Sequence, residues 1–154
     1  MTPPPTQQAN LRDRIIVVLA HPGYQELEFW YPTLRGREDS ATVLIVAAGA
    51  EPQESFLGYP VLGDHDAADV DAANVDAVIV PGTVMGVPHL SPAQHDLIAA
   101  AHAAGCAVYA SGSAVALVAQ ITGTAIPDDR VARDADALPD LWRRLSAELA
   151  PADD

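Results

Sequence analysis

Three short stretches hold the side chains best suited to chemistry: His21 to Glu28, Pro81 to His89 and Ala110 to Ser113. Glu28 is the first candidate. Leu27, Phe29, Trp30 and Tyr31 flank it, and a carboxyl held in an apolar cleft can give and take a proton near neutral pH, the basis of general acid–base catalysis. His21 and His89 sit in the first and second stretches and could converge on a ligand, although a single loop histidine is ordinarily just solvated. Ser111 and Ser113 flank Gly112 and offer hydroxyls, but no base stands beside them in sequence, and Ser113 is placed to cap the helix that follows. Cys106 opens a strand instead of ending one and reads as a buried, inert thiol. His65 lies among Asp64, Asp66 and Asp69; that spacing fits no EF-hand or zinc pattern, so the segment reads as a solvated acidic loop, and neither a metal nor a cofactor is expected.

The elements that must position these residues can be read from apolar runs and their punctuation. Ile15 to Ala20 is a continuous β-branched run stopped by His21-Pro22-Gly23, as expected of a parallel strand buried on both faces. Tyr24 to about Arg37 is helical, with Leu27, Tyr31 and Leu34 spaced along one face and Pro32 as a kink or break. Ala41 to Ala48 and Ala77 to Val80 are further strands, the second closed by Pro81-Gly82, and Gly58 to Leu62 is a short edge strand or hairpin piece. Ser91-Pro92 starts a helix that stops at Gly105. The strand Cys106 to Ala110 then turns sharply, at Ser111-Gly112-Ser113, into an Ala/Val/Leu-rich helix reaching about Ile121. After Gly123 the chain is polar and acidic, no further strand is evident, and Leu138 begins a last amphipathic helix. Strands alternating with helices imply a parallel sheet with right-handed crossovers, whose ligands bind at the carboxyl ends of the strands. All three candidate stretches lie there.

Length and composition narrow the function. A chain of 154 residues suits one domain: residues 1–11, proline-rich and polar, read as a disordered lead-in, residues 12–150 as a single domain, and residues 151–154 as a tail. The hydrophobic content is 49% but only 5% is aromatic, so the core is aliphatic. The net charge is −13, from 21 acidic residues against eight arginines and no lysine. That balance disfavours nucleic acid and anionic membrane as partners. One cysteine excludes an internal disulfide, and the N-terminal residues have neither a basic nor an apolar leader region, so a cytoplasmic location is expected.

The same stretches carry a family resemblance over roughly residues 14 to 125. Gly23-Tyr24-Gln25-Glu26-Leu27-Glu28 with Pro32 four residues on, Asp76 to Thr83 with Leu90 beyond, and Ala110-Ser111-Gly112-Ser113 before an Ala/Leu-rich helix resemble, in that order and spacing, the DJ-one/ThiJ/PfpI superfamily, nearest its isonitrile hydratase branch. The resemblance implies a flavodoxin-like three-layer α/β sandwich with a mostly parallel sheet and a strand-to-helix elbow, commonly paired as a homodimer. It places Glu28 as the acidic partner of the family's nucleophile and Ala110 in place of the nucleophilic cysteine. The amides of Thr83 and Ser111, beside Gly82 and Gly112, would form an oxyanion pocket. Asp134 falls where a catalytic histidine often sits, and the family's C-terminal strands are expected to be missing. The expected activity is therefore non-covalent acid–base chemistry on a small molecule, of hydratase, lyase, isomerase or cyclase type; the alternative is a catalytically inactive ligand-binding or regulatory protein.

Overall fold

Ile15–Leu19 forms β1, five apolar residues with no polar side chain to satisfy, which can therefore be covered on both faces. The computed structural model describes residues 10–151; the expected lead-in through residue 9 and the end of the expected tail, residues 152–154, lie outside the described residues. Leu11, assigned to the lead-in, is instead fully buried in the core, and its amide donates to the Asp39 carbonyl at 2.8 Å.

From β1 the chain continues through α1 (Glu26–Glu38), β2 (Thr42–Ala47), the two-residue strands β3 (Gln53–Glu54), β4 (Pro60–Val61) and β5 (His65–Asp66), then β6 (Ala77–Val80), α2 (Pro92–Ala103), β7 (Ala107–Ser111), α3 (Ala114–Thr122), β8 (Val131–Ala132) and α4 (Leu138–Leu149). The six-stranded sheet has the order β5-β2-β1-β6-β7-β8, parallel throughout, and β3 and β4 form a separate antiparallel ribbon. Three strands were not foreseen. Gln53 and Glu54 pair with Val61 and Pro60, His65 and Asp66, read as loop, pair with Val46 and Ala47, and Val131 and Ala132 extend the sheet beyond β7.

Each face of the sheet has its own apolar layer. On one side Ile16, Val18 and Tyr109 pack with Phe29 of α1 and with Leu141, Trp142 and Leu145 of α4. On the other Val17, Val78, Val80 and Ala110 pack with Leu97 and Ile98 of α2 and Val118 of α3. The three-layer flavodoxin-like sandwich expected from the sequence is the fold observed. The order of strands reverses at β1 and β6, so the loops after these two strands face each other across the switch point. No helix among the described residues is long and apolar enough to cross a membrane.

α1 is turned differently from the expected apolar stripe. Leu27 and Leu34 are both 55% exposed, while Glu28, Phe29, Pro32, Thr33 and Gly36 face inward. The reason is steric. Gly36 lies so close to the sheet and to α4 that a Cβ there would come within 2.6 Å of Val43 Cγ2 and 3.4 Å of the Trp142 ring, so only the small-residue face of the helix can approach. The Trp142 Nε1–H donates to the buried Asp39 carboxylate at 2.7 Å and ties α4 to the end of α1.

Replacing a helix-interior glycine by alanine ordinarily gains about 1 kcal/mol. Gly36→Ala instead has to overpack against a stiff β-branched side chain, at a cost of about 1–3 kcal/mol. The denaturation midpoint is expected to fall with the slope unchanged; a raised midpoint would show that the α1–sheet contact is looser than described.

Candidate functional site

Glu28 reaches the elbow because of how α1 begins. Gln25 caps the helix, its side-chain oxygen accepting from the Glu28 amide at 2.7 Å, while the Gln25 amide donates to the Gly82 carbonyl at 2.9 Å. This fixes the first turn of α1 against the loop after β6. The Glu28 carboxylate, 6% exposed, then accepts from the Gly82 amide through Oε1 at 2.9 Å. A charge-assisted bond of this kind contributes about 1.5–3 kcal/mol net. No partner is found for Oε2 among the described residues.

The loop after β6 is held from every side. His21, fully buried, donates from Nε2 to the Pro81 carbonyl at 2.7 Å, and its Nδ1 lies 3.2 Å from the Pro22 carbonyl. Burial pushes the imidazole below its ordinary pKa, with the two carbonyls opposing; a neutral ring has one N–H, which the shorter contact takes. Thr83 Oγ1 donates to the Gly23 carbonyl at 2.7 Å, and the Thr83 amide donates to Ser113 Oγ at 2.9 Å. Gln94 of α2, buried and unremarked in the sequence, donates to the Ala20 carbonyl at 2.8 Å and steadies the end of β1.

The chain turns within Ser111-Gly112-Ser113, as the sequence indicates, but the residue at the corner is two positions beyond Ala110. β7 runs on through Ser111, with Ala110 paired to Val80 and Val131 and its methyl in the α2–α3 layer. α1 and Glu28 are on the opposite side of the sheet. The chain turns at Gly112, which has φ +53°, and an ideal Cβ built there would meet Glu28 Oε1 at 2.8 Å and Oε2 at 3.0 Å. Gly112, not Ala110, is therefore the position that faces Glu28. The carboxylate already fills the volume that a side chain at this turn would take. Gly82 is equally crowded: a Cβ there would lie 2.8 Å from each of Glu28 Oε1, the Ser111 carbonyl and the Ser113 nitrogen.

Several site assignments change accordingly. The amide neighbouring Gly82 belongs to Ser113, whereas Ser111 sits inside the sheet opposite Ala132. The Thr83 amide, assigned to an oxyanion pocket, is committed to Ser113 Oγ. That hydroxyl also donates back to the Thr83 carbonyl at 3.1 Å, so Ser113 ties a loop in place of capping α3 through its side chain. The Ser111 hydroxyl is 1% exposed and unpartnered. His21 is structural, and His89 is exposed and does not join it. Asp134 is exposed and caps a 3₁₀ turn through the Ala137 amide. Glu28 is surrounded by glycine backbone, not by the aromatic cleft expected from its neighbours. Cys106 lies just before β7 and is half-buried; burial, with Asp76 adding, pushes its thiol up to about 11, which disfavours the thiolate. Among the described residues no three His, Cys, Asp or Glu side chains cluster to hold a metal ion.

Large apolar side chains are exposed on three segments beside this centre. The exposed large apolar side chains of the described residues are Leu27 and Leu34 on α1, Phe56, Leu57, Tyr59 and Leu62 in and beside the β3–β4 ribbon, and Val84, Met85 and Val87 after β6. The three segments meet at Tyr24, which bridges to Ser55 and to Thr83, and Leu57 is further tied to Glu26.

Comparison with known proteins agrees with this architecture. The model of the DJ-1/PfpI family matches residues 13–120. Among solved structures, Drosophila melanogaster DJ-1beta is similar with a TM-score of 0.74 and 20% identity, over 89% of this chain and 90% of that one. A DJ-1 superfamily protein from Salmonella typhimurium, solved as a cysteine-to-alanine mutant, gives 0.74 and 22%, over 88% and 90%. Oxidized DJ-1 from Toxoplasma gondii gives 0.70 and 16%, over 87% and 88%. A search of curated proteins found no matching sequence.

In a Cys106→Ser background, a cysteine introduced at each elbow position separates the two alignments. Gly112→Cys has to displace the Glu28 carboxylate and is expected to lower the denaturation midpoint yet label faster than Ala110→Cys, whose thiol enters the α2–α3 layer. Fast labelling of Ala110→Cys with slow labelling of Gly112→Cys would return the corner to Ala110.

Proposed function

The chain belongs to the DJ-1/PfpI family, and on that premise we propose that it is a ligand-binding or regulatory member that does not use the family's covalent chemistry. The observation that carries this reading is the Glu28 carboxylate over Gly112. It lies where a side chain at the turn would project, is anchored to the Gly82 amide, and has the Thr83 amide beside it already spent on Ser113. A site filled by the protein's own carboxylate favours recognition at the rim of exposed apolar side chains beside it over reaction at its centre. Its ligand is a small molecule with an apolar body. Kinship with the isonitrile hydratase branch rested on Ala110-Ser111-Gly112-Ser113, and with the turn at Gly112 that spacing no longer supports it.

The second reading, non-covalent acid–base catalysis by Glu28, is favoured by one feature: Oε1 is anchored while Oε2 is unpaired, as a positioned general base requires. Glu28→Gln distinguishes the two. Glutamine keeps an acceptor for the Gly82 amide, so folding changes little in either case. With an α-oxoaldehyde, an activated ester and an isonitrile as probes, the binding reading expects wild type and variant to be equally inactive. Wild-type turnover that falls about 10²- to 10⁴-fold in the variant would establish the acid–base reading instead.

The rim also supports a homodimer, since large apolar side chains collected on one surface of a small domain call for a cover. Sedimentation at micromolar concentration is expected to give a dimer that Leu27→Glu dissociates. A wild-type species at 16.1 kDa would leave the rim to the ligand alone.

A further inference from the structure

The net charge of the chain is concentrated in one part of it. From Glu38 to Asp129 there are twelve Asp and Glu and no Lys or Arg, whereas residues 130–150 carry four Arg and four acids. The acidic stretch includes two 3₁₀ turns, Ala67–Asp69 and Ala72–Asn74, which pack against α2. Three clefts surround these turns and share walls. One of about 330 Å³ runs between the turns and α2, lined by Ala68, Val70, Ala93, Leu97 and Ala100 with Asp96 at its edge. A second of about 200 Å³ continues from Val70 past Asp69 and Asp71 to Leu44. The third, about 320 Å³, continues from Ala72 to Asp76. The side chains along α2 and Val70 are small and apolar, His65 joins the second cleft, the third is mainly polar, and the edges are carboxylates, of which Asp69 and Asp96 are exposed and have no partner among the described residues.

We propose that this groove docks a cationic amphipathic segment of another protein, its apolar side laid along α2 and its Lys or Arg side chains against Asp69, Asp71 and Asp96. Charge complementarity selects the occupant. Nucleic acid carries the same sign of charge as the groove, and among the described residues there is no cluster fit for a metal ion. A second copy of the chain offers little positive charge on an amphipathic element. Arg14, Arg35, Arg130, Arg133 and Arg143 are each beside an acid of their own chain, and the exposed Arg12 and Arg37 lie on different elements. The surface is separate from the apolar rim, so it stands whichever reading of the elbow holds.

The probe is a labelled synthetic Lys/Leu amphipathic helix, followed by fluorescence anisotropy at physiological salt. Asp69→Asn/Asp71→Asn/Asp96→Asn is expected to weaken binding about tenfold or more, while Asp13→Asn/Asp136→Asn/Asp140→Asn, which removes the same charge elsewhere, changes it less than about twofold. Asparagine keeps the turn cap that Asp71 provides to the Ala73 amide, so the groove stays folded. Ala100→Leu leaves the charge unchanged, fills the apolar floor, and is expected to weaken binding severalfold. Equal loss in the two triple variants, or no effect of Ala100→Leu, would reduce the association to non-specific attraction and overturn the proposal.

Discussion

One hydrogen bond organises this molecule: the Gly82 amide to the carboxylate of Glu28. It joins the first turn of α1 to the loop after β6, and it holds the carboxylate over the turn that follows β7. Most of the unusual features nearby are consequences. Position 82 must be glycine because three groups stand 2.8 Å from where a Cβ would be, and position 112 is glycine against the same carboxylate, at a φ of +53° that other residues rarely adopt. His21, Thr83 and Ser113 then spend their hydrogen bonds keeping the Pro81 loop where Glu28 can meet it.

The sheet makes this geometry possible. With β1 and β6 adjacent at the reversal of strand order, the loops that follow them emerge side by side, and β7 delivers the elbow next to both. α1 can come close enough to place Glu28 because its inward face is Pro32, Thr33 and Gly36, not a row of leucines. The same choice puts Leu27 and Leu34 in solvent and creates the apolar rim. Helix packing and the binding surface are thus two results of one steric requirement.

Much of this was legible in the sequence. The β-branched runs gave the central strands, proline and glycine gave their ends, and strand–helix alternation gave the parallel sheet and the three loops at its carboxyl edge. Two kinds of feature were not legible. Strands of two residues, β3, β5 and β8, have too little pattern to be read and exist because a neighbouring strand offers unpaired backbone. The face of α1 was misread because periodicity weighs side-chain polarity and does not see the close approach that requires Gly36. The turn was read at Ser111-Gly112-Ser113, but its corner residue was assigned to Ala110 for a related reason. The motif glycine was aligned as the residue after a small polar spacer, but φ and the Glu28 contact make it the turning residue itself. A glycine between two serines signals a turn without saying which residue stands at its corner.

The account rests on the Gly82 amide being buried against Glu28, and amide hydrogen exchange reads that bond directly. Gly82 is expected to be strongly protected in the native protein, far more than Gly86 in the exposed continuation of the same loop, and to lose most of that protection in Glu28→Ala. Exchange of Gly82 as fast as that of Gly86 would contradict the closed elbow and reopen the centre of the site to substrate.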